Sequence, residues 1–229
     1  MAQKSGAGDL VTEIDRAAER AIVDGIGAER PDDAILGEEG TDRPGTSGVR
    51  WVIDPLDGTA SYVRGYPGYA VSIGVEVDGE PAIGVVVDPL GRRTEGVAGG
   101  GTVRDGRHVA PSTVDGLEHA VLATGFGYEP EKRSAEARVL ERLIGRVADI
   151  RRSGSAAMDL CAVATGEVDA YYELHLAPWD VAAGRVIVEA AGGVFRQILQ
   201  PDGETLTVAS PPGLLEPLLE LLRTAGLRA

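Results

Sequence analysis

Trp51-Val52-Ile53-Asp54-Pro55-Leu56-Asp57-Gly58-Thr59 is the stretch on which the reading of this chain turns. A short apolar β run, Trp51 to Ile53, stops at Asp54-Pro55. Two carboxylates three residues apart then sit on a proline-stiffened turn, from which they can converge on a pair of cations. Gly58 and Thr59 lead into a helix and offer backbone N–H groups to an anion. Metal ligands and phosphate donors are thus neighbours in the chain. Taken alone, the stretch also fits an acidic turn followed by a helix cap.

Working outward, three more acidic segments come into view. Asp9-Leu10-Val11-Thr12-Glu13-Ile14-Asp15 opens a helix expected over residues 9–30, with Thr12 and Asp15 spaced as a capping pair and Pro31 closing it. Gly37-Glu38-Glu39 places paired acids on a loop that runs to Gly48. Trp179-Asp180-Val181-Ala182-Ala183-Gly184 puts an acid at another helix start, and Gly192-Gly193 serve as that helix's stop. Each of these alone reads as a solvated turn or a helix cap.

Between and beyond them the pattern is mixed. Residues 70–77 and 82–87 alternate around Asp78-Gly79, and 94–98 and 102–109 turn at Asp105-Gly106, which predicts an antiparallel meander. Helical periodicity returns over 133–148, 155–166 and 213–225, and a strand is expected over 168–173. Two α/β subdomains fit this order, 1–145 with the antiparallel sheet and most of the acids, and 146–229 completing the site. The 32 glycines point to tight turns and close backbone approaches.

Composition narrows the function. In 229 residues the formal net charge is −14, and no run of Lys or Arg is long enough to neutralise a nucleic-acid backbone, so nucleic acid is not an expected partner. An acidic protein that takes a phosphorylated substrate needs a cation between the two. The one cysteine, Cys161, sits in an apolar helical stretch and is expected in the core; it excludes an intrachain disulfide and a thiolate cluster. His108, His119 and His175 show no ligand spacing and read as structural or surface groups. No uncharged apolar run approaches the roughly 20 residues of a membrane span, and no apolar leader opens the sequence. A soluble cytoplasmic enzyme is expected.

In order and spacing, the four acidic segments resemble the inositol monophosphatase family. Its D-x-V-T-x-x-D, G-E-E, W-x-x-D-P-[IL]-D-G-T and W-D-x-A-[AG]-x-x-[IL] segments match from Lys4 nearly to the end of the chain. The resemblance implies a layered α-β-α-β-α sandwich with a mainly antiparallel first sheet. It implies that Glu38, Asp54 and the Leu56 carbonyl hold one Mg2+, and that Asp54, Asp57 and Asp180 hold a second. Glu39 lies near a further weak site, giving two or three ions in all. The amides of Gly58 and Thr59 would receive the phosphate, while Thr59, Asp15 and Glu38 would position and deprotonate the attacking water. Ala156, Glu173 and Asp180 would face the substrate.

Elementary electrostatics supports the same division. Asp15, Glu38, Glu39, Asp54, Asp57 and Asp180 in one cleft would repel one another and take up protons unless cations intervene. Oxygen-only ligands suit Mg2+, which can acidify a water and offset charge on a leaving oxygen. The expected reaction is hydrolysis of a small phosphomonoester, inositol monophosphate first. Ser61-Tyr62 instead resembles the histidinol-phosphatase branch, and Arg64 offers a partner for a second phosphate or a plain surface charge. A non-catalytic binding protein on the same fold is the alternative of another class. The resemblance implies about one further helix ahead of the segment that matches at Lys4, and its absence is an expectation for this chain. Apolar surface would then be exposed, and a homodimer contact is one way to cover it.

Overall fold

The computed structural model describes residues 2, 3, 10, 11 and 13–229. Lys4, Asp9 and the Thr12 cap lie outside the described residues. Ala2–Gln3 (β1) and Leu10–Val11 (β2) form a small antiparallel ladder. Glu13–Glu29 (α1) precedes an eight-stranded sheet. Its strands are Ala34–Gly37 (β3), Asp42–Arg43 (β4), Val49–Asp57 (β5), Ala70–Val77 (β6), Glu80–Val87 (β7), Arg93–Val97 (β8), Gly101–Arg104 (β9) and Arg107–His108 (β10). Their order is β10-β9-β8-β7-β6-β5-β3-β4, antiparallel except for β3 beside β5. Thr59–Val63 (α2) follows β5 directly.

A second sheet takes the rest of the chain. It contains Val121–Thr124 (β11), Asp149–Arg151 (β12), Ala170–Leu174 (β13), Val194–Leu199 (β14) and Thr205–Ser210 (β15), in the order β12-β11-β13-β15-β14. Pro130–Leu143 (α3), Ala156–Ala164 (α4), Pro178–Ala190 (α5) and Pro212–Thr224 (α6) complete the described α-helices.

Strand alternation sorts these elements into five layers. Ala123, Tyr171 and Ala209 bury against Leu160 and Ile187 of α4 and α5. Their neighbours Leu122, Tyr172 and Val208 bury on the other face against Leu143 of α3 and Leu218 and Leu222 of α6. In the first sheet, Gly74 is paired with Val52 and faces α5, whereas Gly37 is paired with Ile53 and faces α1. The layers therefore run α1, first sheet, α4 with α5, second sheet, α3 with α6, the sandwich expected from the sequence.

Glycine makes the central contact. Gly74, Gly84 and Gly96 lie side by side on β6, β7 and β8. A Cβ on Gly84 would stand 2.2 Å from the Ala183 carbonyl oxygen, and one on Gly96 would stand 2.7 Å from the Ile187 Cα. The row is a trough that seats the α5 backbone directly on the sheet, a use of glycine that composition alone hints at.

The first sheet ends at His108 and the second begins at Val121, and β11 and α3 pack with the second sheet. Strand β11 is short and was hidden among the glycines and polar residues around it. The β run expected to stop at Asp54-Pro55 continues to Asp57, with a register shift between Asp54 and Asp57. Pro55 lies in that irregular stretch, where its missing N–H costs no ladder bond.

Gly84→Ala should lower stability by about 1–3 kcal/mol through overpacking against α5. Gly25→Ala, on α1 where nothing lies within 4 Å of the new methyl, should raise it by up to about 1 kcal/mol. Denaturant midpoints of the two variants check both signs.

Candidate active site

The irregularity in β5 is what assembles the site. In a regular strand, residues three apart point to opposite faces. Between Asp54, paired with Ser72, and Asp57, paired with Ala70, β5 holds one residue more than β6. That extra residue turns the two carboxylates to the same side. Asp180, in the first turn of α5, joins them: one carboxylate oxygen from each of Asp54, Asp57 and Asp180 lies within 4.8 Å of the others.

Each of the three is also tethered by backbone. Asp54 Oδ1 accepts the Leu56 N–H at 3.0 Å. Asp57 Oδ2 accepts the Ala157 N–H at 2.7 Å and the Ser155 hydroxyl at 2.6 Å, both from the start of α4. Asp180 Oδ2 accepts the Ala177 N–H at 2.6 Å, so it caps α5 while facing the cluster. Ser155 in turn accepts the Met158 N–H at 3.1 Å as the α4 cap.

Glu38 reaches Asp54 from the turn after β3. Thr59 donates its hydroxyl to Asp15 Oδ1 at 2.8 Å and lies 3.1 Å from the Leu56 carbonyl oxygen. Gly58 caps α2 at φ 95°, where a side chain would meet the Gly68 carbonyl oxygen at 2.4 Å. These groups floor a cleft of about 430 Å³ between the two sheets. Phe126, Arg152, Ala156, Glu173 and His175 are on its walls.

Burial and like charge disturb the acids together. Burial, then Asp57, Glu38 and Asp180, hold the Asp54 carboxyl well above the usual range. Burial lifts Asp57 to about 6 against the pull of Ser155 and Ala157, and lifts Asp180 to about 8 with help from Asp57. Glu173 is raised to about 8, chiefly by burial, and Asp159 to about 7 for the same reason. Cys161 is buried, and its thiol is pushed up to about 12.

Among the residues expected from the sequence, Glu38, Asp54, Asp57, Gly58, Thr59, Ala156, Glu173 and Asp180 all line the cleft, as does Leu56. Asp15 meets it through Thr59. Glu39 does not line it; its carboxylate stands 3.7 Å from the Arg16 guanidinium. Arg64 turns back on its own helix, donating to the Ala60 carbonyl at 3.0 Å, and is not on the cleft wall. Sequence reasoning missed Ser155, whose place before a helix of small residues marks a cap. It also missed Tyr171, which donates its hydroxyl to Glu173 Oε2 at 2.6 Å. His175, at φ 66°, sits between Glu136 and Glu204, in keeping with a structural histidine.

The carboxylates of Asp54, Asp57 and Asp180 form an oxygen-only cluster beside a strand-to-helix turn, a set of groups that could hold a metal ion. Residues 1–225 match the sequence profile of the inositol monophosphatase family, and the chain belongs to that family. It is 44% identical over 233 residues to inositol-1-monophosphatase SuhB of Mycobacterium tuberculosis, spanning 96% of this chain and 80% of that protein. It is 38% identical over 230 residues to the Escherichia coli protein named Nus factor SuhB, spanning 97% and 85%. The crystal structure of extragenic suppressor protein suhB from Bartonella henselae superposes with a TM-score of 0.89 at 32% identity, covering 97% of this chain and 87% of that one. No helix among the described residues is long and apolar enough to cross a membrane.

The raised acids fix the sign of a pH dependence. Between their ordinary values near 4 and their folded values, the folded protein holds protons that the unfolded chain has released, so stability falls as pH rises through that window. The metal-free protein should melt higher at pH 5.5 than at pH 8, and Mg2+ should stabilise it more at pH 8. Asp54→Asn should raise the metal-free melting temperature at pH 8 and abolish the Mg2+ increment, as thermal melts at the two pH values will show.

Proposed function

We propose that the chain is a Mg2+-dependent phosphomonoesterase that hydrolyses inositol monophosphate. The observation that carries this reading is the convergence of Asp54, Asp57 and Asp180 within 4.8 Å, with Glu38 on Asp54. So many carboxylates at one point are unfavourable without a cation, and their oxygen-only donor set, fixed by backbone N–H groups, fits a hard divalent ion. Glu38, Asp54, Asp57, Asp180 and the Leu56 carbonyl would hold Mg2+, two or three ions. A bound Mg2+ would acidify the attacking water and offset charge on the phosphate and the leaving oxygen.

The chain's own groups do the rest. Thr59 gives its hydroxyl hydrogen to Asp15, which leaves its oxygen as an acceptor toward the attacking water. Glu38 takes the water's proton on its carboxylate. The Gly58 and Thr59 amides orient the phosphate for in-line attack, and the P–O bond to the alcohol breaks with no phosphoenzyme, the leaving oxygen taking a proton from solvent water. Glu173 is pinned by Tyr171 and lies against Gly125, where a Cβ would stand 2.1 Å from its Oε1. A carboxyl fixed in that way suits the hydroxyls of a polyol, and Ala156 beside it leaves room for the ring. The name of the M. tuberculosis relative supports the same substrate.

The E. coli relative is named as a Nus factor, which favours a binding role as the second reading. The complete carboxylate set is the feature that weighs for catalysis, since binding alone has no use for it. Phosphate release should be measured from inositol 1-phosphate, histidinol phosphate and fructose 1,6-bisphosphate, with and without Mg2+. Inositol 1-phosphate should be turned over best and only with Mg2+. Asp54→Asn should lower kcat/KM by about a hundredfold or more, on the scale of removing one electrostatic stabiliser of a transition state. Glu173→Gln should act mainly on KM for the polyol substrate. Folded protein that releases no phosphate from any of the three would overturn the phosphatase reading in favour of the binding one.

A further inference from the structure

Helix α1 carries two buried carboxylates one turn apart, Asp15 and Glu19. Their four-residue spacing puts both on one face of the helix. Asp15 is engaged by Thr59. Glu19 grips the turn that carries Glu38. Its Oε2 accepts the Glu39 N–H at 2.7 Å, and its Oε1 accepts the Thr41 N–H at 3.1 Å and the Thr41 hydroxyl at 2.6 Å.

Three donors from one turn therefore converge on one carboxylate. The carboxylate lies over Gly37, where a Cβ would stand 2.4 Å from Oε2, so this closeness depends on the glycine. The same turn is closed by the Gly37 N–H on the Thr41 carbonyl at 2.7 Å, and the Glu38 N–H is held by the Ile53 carbonyl at 3.1 Å. Glu38 is thus fixed from β5 on one side and from α1 on the other. The helix itself has no need of an acid at 19, because Gln or Ala would serve it equally well. Burying a carboxylate is costly unless it is fully hydrogen-bonded, and here every bond goes to the turn.

We propose that Glu19 is a positioning residue for the divalent-cation site, locking the Gly37–Thr41 turn so that the Glu38 carboxylate meets Asp54. The proposal rests on the phosphatase reading and adds to it a residue that touches neither cation nor substrate. Outer partners of this kind change metal affinity by about 10- to 100-fold when removed.

The test is calorimetric titration of metal-free protein with Mg2+, alongside melting temperature without metal and steady-state kinetics. Glu19→Gln keeps size and helix propensity but sets an NH2 group against N–H donors. It should weaken Mg2+ binding by about tenfold or more and lower kcat at limiting Mg2+. Excess Mg2+ should restore much of the rate, with KM for the phosphoester little changed. Thr41→Val removes one of the three donors and should give a smaller loss, which Thr41→Ser should repair. Unchanged Mg2+ affinity in both Glu19→Gln and Thr41→Val, whatever happens to the melting temperature, overturns the proposal. Should Glu19→Gln fail to fold, the Thr41 pair decides alone. Asp54→Asn separates the two levels: parental Mg2+ binding there sinks the cation-site reading itself, whereas loss there with parental binding in the Glu19 and Thr41 variants sinks only the role of Glu19.

Discussion

Mutual repulsion among Glu38, Asp54, Asp57 and Asp180 is the constraint around which the molecule is arranged. Ionised carboxylates this close cost the folded state energy, and burial between two sheets increases the cost. The fold offsets it locally. Asp57 accepts an N–H from the start of α4, and Asp180 one from the start of α5, so two helix N-termini face the cluster with the favourable end of their dipoles. These bonds are strong enough to fix direction and too few to neutralise four acids. What remains is an anionic focus held rigid, the condition under which a small hard cation gains most.

Rigidity comes from how closely the layers approach. The trough of Gly74, Gly84 and Gly96 lets α5 lie on the first sheet with almost no side chain between them. Asp180 is therefore placed by backbone contact against the sheet whose next strand, β5, carries Asp54 and Asp57. Within the helix layer, Leu160 of α4 packs onto Gly184 of α5, where a Cβ would come within 2.4 Å of its Cδ1. The two helices that present their N-termini to the site are thereby locked to each other as well. Glycine here supplies positional accuracy, and the enlarged residue count in the composition reflects that use as much as turns.

Much of this was legible before any coordinates. Asp54 and Asp57 stand out as a pair on a proline-stiffened turn, whereas Asp180, which alone reads as a helix cap, joins them only through the resemblance to the inositol monophosphatase family. The helices 130–143, 178–190 and 212–224 follow from apolar spacing, within a few residues of their expected limits. Less visible were features made by pairing across long separations. β3 and β11 are four residues each and flanked by polar loops, so periodicity cannot separate them from coil. The bulge at Pro55 is a property of two strands compared, and no single-strand pattern encodes it. Glu19 reads as one more exposed acid on an amphipathic helix, and only the return of the chain at Thr41 makes it internal. Tyr171 and Tyr172 look equivalent in sequence yet face different cores, one of them holding Glu173.

Charge balance links the site to the whole chain. A protein of net charge −14 repels a phosphate dianion at long range as well as at the cleft floor. On the proposed reading, cation binding therefore comes before productive substrate binding, since the same acids that exclude phosphate from the metal-free cleft become its attraction once neutralised. The order is self-enforcing: substrate cannot be held in a reactive position by a site that lacks the ion. Glu173 and Asp159 fit this scheme differently from the cluster. Asp159 is buried and Glu173 half-buried, and both carboxyls are raised toward or above neutrality, so at neutral pH they add less negative charge than their number suggests. A cleft wall built that way can offer hydrogen bonds to hydroxyl groups without adding to the repulsion that the cations must overcome.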